Sequence, residues 1–189
     1  MNIIILGPPA AGKGTQGELL AKKLKIPRLS VGALLRRYIS EKGKLGKEID
    51  RYHNRGLNVP AKILFKVLKP WFEEHQNGFV VDNLPRNIDQ LKEFQSFLLK
   101  TRIKIDKVFY LNISDQEALK RLNKRFLQRQ ENGNYRSDER PELFQIRLEE
   151  GFKKEITPIL NFFKQMKILI KIDGEQTIEK VHQDILDNL

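Results

Sequence analysis

A chain of 189 residues has room for one domain with a real core and a small insertion. Hydrophobic residues make up 40% and charged residues 31%, and no apolar run is long enough for a helical membrane span. The absence of cysteine excludes disulfides, thiolate zinc sites and a cysteine nucleophile, while a formal charge of +11 suits nucleic acid, an anionic surface or small anionic substrates.

Ile3-Ile4-Ile5-Leu6 reads as a buried strand with no basic leader before it, which gives the expectation of a cytoplasmic protein. Gly7-Pro8-Pro9-Ala10-Ala11-Gly12-Lys13-Gly14-Thr15-Gln16 follows and opens onto a helical stretch up to Leu24. Strand, glycine-bearing loop and helix form the context of a phosphate-binding loop. Glycines let backbone N–H groups turn around an anion, and the helix N-terminus adds partial positive charge. Lys13 supplies a mobile charge for the β- and γ-phosphates of a nucleoside triphosphate. The bland alternative is an ordinary Gly-rich turn.

Ser30 is placed to cap a helix whose apolar face is Val31, Leu34, Leu35, Tyr38 and Ile39. Arg36 lies off that stripe. Gly43, Gly46, Gly56 and Pro60 punctuate short helices between 43 and 75, and Lys69-Pro70-Trp71 reads as a kink or restart, with Trp71 and Phe72 as packing residues. Phe79-Val80-Val81-Asp82 reads as a buried parallel strand that ends in a carboxylate, where a second acid for Mg²⁺ is expected. Asn83-Leu84-Pro85-Arg86 turns the chain into a helix over 87–100.

Residues 107–112 are a further strand. A helix from Asp115 places Arg121 and Arg125 one turn apart on one face. Residues 126–135 read as a polar loop, and Asp138 or Ser137 as the cap of a long helix bearing Arg147. A strand at 168–172, a turn at Asp173-Gly174 and a helix over 177–188 close the chain. His53, His75 and His182 have no ligand spacing and read as surface or satisfied structural residues. Alternating strands and helices predict a three-layer α/β/α domain of the phosphate-loop NTPase type, with a parallel sheet of about five strands.

With residues 7–16, 29–36, 78–86, 121–125, 136–147 and 173–174 in this order, the chain resembles adenylate kinase and its nucleoside-monophosphate kinase relatives over its whole length. The resemblance implies a core (1–30, 61–122, 138–189), an acceptor-nucleotide insertion (31–60) and a short lid (123–137) without the zinc-binding insertion of some relatives. It implies transfer of a phosphoryl group from Mg-ATP to AMP. ATP would be held by Pro9, Ala10, Ala11, Gly12, Lys13, Gly14 and Thr15, with Arg121 and Gln176 at its base. Arg36 and Arg86 would hold the acceptor phosphate. Val31 and Asn83, with the backbone at Leu57 and Val59, would line the acceptor pocket, and Gln90 would read adenine. Arg125, Arg136 and Arg147, with Lys13 and Arg86, would surround the transferred group, and Asp82 would orient Mg²⁺ through water. Neither nucleic acid nor a membrane is an expected partner, and a monomer is expected.

The chain departs from the family pattern at Ala10, Val31, Ala33, Lys62 and Asn83-Leu84. Four of these lie in the acceptor half, so a UMP/CMP-type or other monophosphate kinase, or a catalytically impaired nucleotide-binding relative, stands as the alternative.

Overall fold

The computed structural model describes residues 1–134 and 136–189. The expected polar loop at 126–135 and the expected lid both include Tyr135, which lies outside the described residues.

Five parallel strands form one sheet in the order β2-β3-β1-β4-β5. They are β1 (Asn2–Leu6), β2 (Arg28–Ser30), β3 (Phe79–Asp82), β4 (Lys107–Asn112) and β5 (Leu169–Asp173). The central strand explains the three layers. Ile4 and Leu6 point to one core, while Ile3 and Ile5 point to the other, and all four are buried. The second core is completed by α1 (Lys13–Leu24), by Ala118 of α6 (Asp115–Glu131) and by α9 (Ile178–Leu186). The first is larger and takes α2 (Val31–Ser40), α3 (Lys44–His53), α4 (Ala61–Glu74), α5 (Ile88–Thr101) and α8 (Lys154–Gln165). Phe72 sits at its centre, 5.3 Å from the ring centroids of both Phe79 and Phe97.

The expected five-strand α/β fold is therefore present, with local corrections. Strand β2 has only three residues and no legible alternation, so the sequence reading passed over it. Helix α4 runs through Pro70, which lies within its Ala61–Glu74 span, with neither a break nor a restart. Helix α6 continues to Glu131, so residues 126–131 are helical and not loop. The expected single long helix after 137 is a relay. Two 3₁₀ turns (Ser137–Glu139, Pro141–Leu143) lead into α7 (Phe144–Leu148), a π turn (Glu149–Lys153) and then α8. The Asp138 carboxylate is drawn into ion pairs instead of capping that segment. The Ser30 hydroxyl does not cap α2 either, because it donates to Asp82 Oδ1 at 3.2 Å.

Helices α2 and α3 cross with almost no gap. A Cβ built on Gly46 would lie 2.0 Å from the Tyr38 carbonyl oxygen. Backbone cannot yield as a side-chain tip can, so Gly46→Ala must force the two helices apart. We expect it to cost about 2–3 kcal/mol. Thermal unfolding followed by circular dichroism should show Tm lowered by roughly 4–12 °C; an unchanged Tm would contradict this account of the crossing.

Candidate active site

The C-terminal ends of β1, β2 and β3 open onto a cavity of about 640 Å³. Open parallel sheets bind ligands at this edge. One wall is the loop between β1 and α1, which contributes Pro9, Ala10, Ala11, Gly12, Lys13, Gly14 and Thr15. Gly12 precedes the first turn of α1 with φ of 89°, a conformation that glycine takes without penalty. Ala10 is also left-handed, with φ of 61°, so its Cβ is tolerated at a cost of about 1 kcal/mol. Asn83 takes φ of 71°, which asparagine adopts more readily than most residues, and this accounts for its standing in a glycine's place.

Lys13 donates from Nζ to the carbonyls of Gly7 (2.8 Å) and Pro8 (2.7 Å). Burial lowers its pKa from near 10.5 to about 7; Asp82 opposes the shift, while Arg86, Arg125 and Arg147 add to it. Arg36, Arg86, Arg121, Arg125, Arg136 and Arg147 line the same cavity. Burial, then the neighbouring Arg147, brings Arg86 down to about 10 against the pull of Asp138. Burial also lowers Arg36 and Arg125.

Two adjacent acids hold this crowd of cations. Asp138 and Glu139 are both buried. Asp138 Oδ2 lies 3.6 Å from Arg36, 3.4 Å from Arg147 and 3.9 Å from His53 Nε2. Arg147 also donates to the Asp138 carbonyl at 2.7 Å. Glu139 pairs with Arg125 at 3.0 Å, Arg129 at 3.2 Å and Arg136 at 3.3 Å. Burial would raise the Asp138 carboxyl, but His53 when charged, together with Arg147, Arg36 and Arg136, holds it below the usual range.

Arg121 makes a different set of contacts. Its guanidinium donates to Glu117 at 2.7 Å and to the Gly174 carbonyl at 2.9 Å. It also borders a neighbouring cavity of about 340 Å³, lined by Ala10, Gly12, Thr15, Gly174 and Gln176 among others. The two cavities share Ala10, Ala11, Gly12, Thr15 and Arg121. Gln176 is fixed by bonds to the Asp173 carbonyl (3.1 Å) and to Asp184 (2.8 Å).

Three expected residues stand elsewhere. Among the described residues, the cavity walls include Val31 and Asn83 but not Leu57, Val59 or Gln90. Leu57 is exposed and Val59 is buried in the core. The buried Gln90 amide makes two hydrogen bonds within the protein: its Nε2 donates to the Val59 carbonyl at 2.8 Å, and its Oε1 accepts from the Arg86 N–H at 2.9 Å. It ties the end of the α2–α3 segment to the turn that carries Arg86.

Sequence reasoning missed Arg28, Arg129, His53, Asp138 and Glu139 as members of this site. Arg129 could have been found by extending the Arg121–Arg125 spacing one turn. Asp138 reads as a cap because a polar run before a helix looks alike in either role, and Glu139 carries no signal of its own. His53 is neither exposed nor satisfied. It is buried, its Nδ1 has no hydrogen-bond partner among the described residues, and burial brings its pKa to about 4 despite Asp138, so it is neutral at pH 7. His75 is satisfied, with Nδ1 2.8 Å from the Trp71 carbonyl and its ring stacked on Trp71.

The family model for adenylate kinase matches residues 5–168. An adenylate kinase of Thermobifida fusca is 35% identical, the match covering 97% of this chain and 95% of that protein. One of Staphylococcus aureus strain Mu50 is 32% identical over 100% and 99% of the two chains, and one of Rickettsia africae is 31% identical over 98% and 97%. A phosphate-binding loop facing converging arginines, and a family match over residues 5–168, lead to one conclusion: the chain belongs to the adenylate kinase family.

Proposed function

We propose that this chain catalyses reversible transfer of the γ-phosphoryl group of Mg-ATP to AMP, giving two ADP. The observation that carries the reading is the convergence of Lys13, Arg36, Arg86, Arg125, Arg136 and Arg147 on one cavity, each delivered by a different stretch of chain. A plain ATPase has no need of cations on the acceptor side.

The chemistry follows from charge. The second pKa of a phosphate monoester is near 6, so the acceptor oxygen is already anionic at pH 7 and needs no general base. The obstacle is repulsion between two anions, which the arginines offset while stabilising charge on the equatorial oxygens. Arg36 and Arg86 take the acceptor phosphate. Lys13 and the loop amides take the β- and γ-phosphates, and Arg125, Arg136 and Arg147 gather on the group in transit. Gln90 keeps Arg86 in register with the acceptor segment.

The donor set suits Mg²⁺. Thr15 and Asp82 offer hard oxygen ligands on one cavity wall, and a nucleotide supplies the remainder. Mg²⁺, when bound, would neutralise negative charge on the β- and γ-phosphate groups.

Residues 31–60 are the acceptor segment in this reading, and 123–137 the lid whose closure excludes water. The substrates are small nucleotides, and the protein works as a cytoplasmic monomer without nucleic acid or membrane. Among the described residues, no helix is long and apolar enough to cross a membrane.

A coupled assay of ADP formation tests the function. With saturating Mg-ATP, kcat/KM should be highest for AMP among AMP, CMP, UMP, GMP and dAMP, and a pyrimidine acceptor that matches AMP would overturn the assignment. Arg147→Ala and Arg136→Ala should each lower kcat by on the order of 10²-fold, with a smaller change in either KM, because their charge is needed most in the transition state. An effect confined to KM would reduce them to docking groups.

Lys13 gives a pH test. Its proton is lost near pH 7 in the free protein, and bound phosphates must raise that pKa again. At pH 8, ADP binding should therefore take up about one proton, falling towards none as the pH drops below 6. Calorimetry in buffers of different ionisation enthalpy measures this uptake, and Lys13→Met should abolish it. Equal uptake in the variant would assign the proton to another group.

A further inference from the structure

Arg28 stands at the edge strand β2 and was not anticipated in the site. Its Nη2 lies 2.6 Å from Asp82 Oδ2, the shortest ion-pair distance made by that carboxylate among the described residues. Its Nη1 lies 4.0 Å from Glu18, which is on the surface. The side chain runs across the start of α1 over two glycines. A Cβ on Gly17 would lie 3.0 Å from Arg28 Nε, and one on Gly14 would lie 3.3 Å from Nη2. The absence of side chains at these positions makes the channel through which Arg28 reaches Asp82.

The consequence concerns charge at the cation's end of the cavity. Asp82 carries one full negative charge and offers two oxygens. Arg28 takes Oδ2, and the Ser30 hydroxyl donates to Oδ1. Arg86, Arg125 and Arg147 add positive potential from the other walls. A divalent cation arriving alone therefore meets a carboxylate whose charge is already matched by a fixed guanidinium. A cation arriving on nucleotide phosphates brings its own negative charge and needs only a water-mediated contact with Oδ1.

The geometry points to Arg28 as the residue that bars divalent cations from Asp82 in the absence of nucleotide, so that Mg²⁺ enters only as its nucleotide complex. This rests on the reading of Asp82 as the carboxylate that serves Mg²⁺. Arg28 is a positioning residue here, acting through Asp82 and not on the transferred group.

Mn²⁺ is the probe, because the electron paramagnetic resonance signal of free Mn²⁺ is lost when the ion binds protein. The measurement uses nucleotide-free protein, so it does not depend on phosphoryl transfer. If AMP proved not to be the acceptor, the Mn²⁺ result would be unaffected. Arg28→Gln should bind Mn²⁺ at least on the order of tenfold more tightly than the parent chain. Asp82→Asn added to Arg28→Gln should return binding to the parent level. Gly17→Ala keeps every charge but crowds Arg28 off its path, and should give part of the same gain. Alanine is a better helix former than glycine, so this variant carries the test if Arg28→Gln fails to fold. Equal Mn²⁺ affinity in the parent and in Arg28→Gln would overturn the proposal, as would a gain that survives Asp82→Asn.

Discussion

Positive charge crowded into a small space is the constraint on which this structure turns. A site for two phosphate chains needs cations from both sides, and those cations repel one another before any phosphate arrives. The protein meets this with Asp138 and Glu139, consecutive residues on a single 3₁₀ turn. One gathers Arg36 and Arg147, the other Arg125, Arg129 and Arg136. Each acid thus offsets the mutual repulsion of its own group of arginines. The turn lies where α6 has ended and α7 has not begun, so both carboxylates can face inward from one short stretch.

The sheet makes this arrangement possible at low cost in chain length. Parallel pairing aligns Ser30 with Asp82, Ile5 with Asp82, and Asn112 with Asp173. Every loop after a strand therefore opens on the same edge. The phosphate loop follows β1, the Arg86 turn follows β3, and the Gly174 turn that anchors Arg121 follows β5. The apolar strands fix these loops to within a residue, because a slip of one would exchange Ile3 and Ile5 for Ile4 and Leu6 between the two cores.

Much of this was legible in the sequence. Unbroken apolar runs ending in Asp82 or Asn112 mark buried parallel strands, and the loop at 7–16 has a fixed chemistry. What escaped the reading depended on neighbours that are distant along the chain. Strand β2 exists because β3 pairs with it, not because Arg28-Leu29-Ser30 favours extension. Pro70 is carried within α4 by a helix whose other face is wholly buried. The Asp138 carboxylate looks like a helix-start signal, and Glu139 carries no signal of its own, until Arg36 and Arg125 are brought beside them. Gln90 was expected to meet a base, since an amide offers both a donor and an acceptor. Those same two atoms are what let it join two strands of backbone.

That last contact has a mechanical meaning. Val59 stands just before Pro60, where the chain leaves the α2–α3 segment and enters α4. Gln90 links this exit to the backbone of Arg86 through two hydrogen bonds of 2.8 and 2.9 Å. A swing of α2 and α3 about that exit would therefore pull on the backbone of Arg86, as a lever pulls on a cable fixed near its pivot. Displacement at the outer end of α2–α3 is converted into a small, directed movement at the inner end, with no side chain spanning the distance between them.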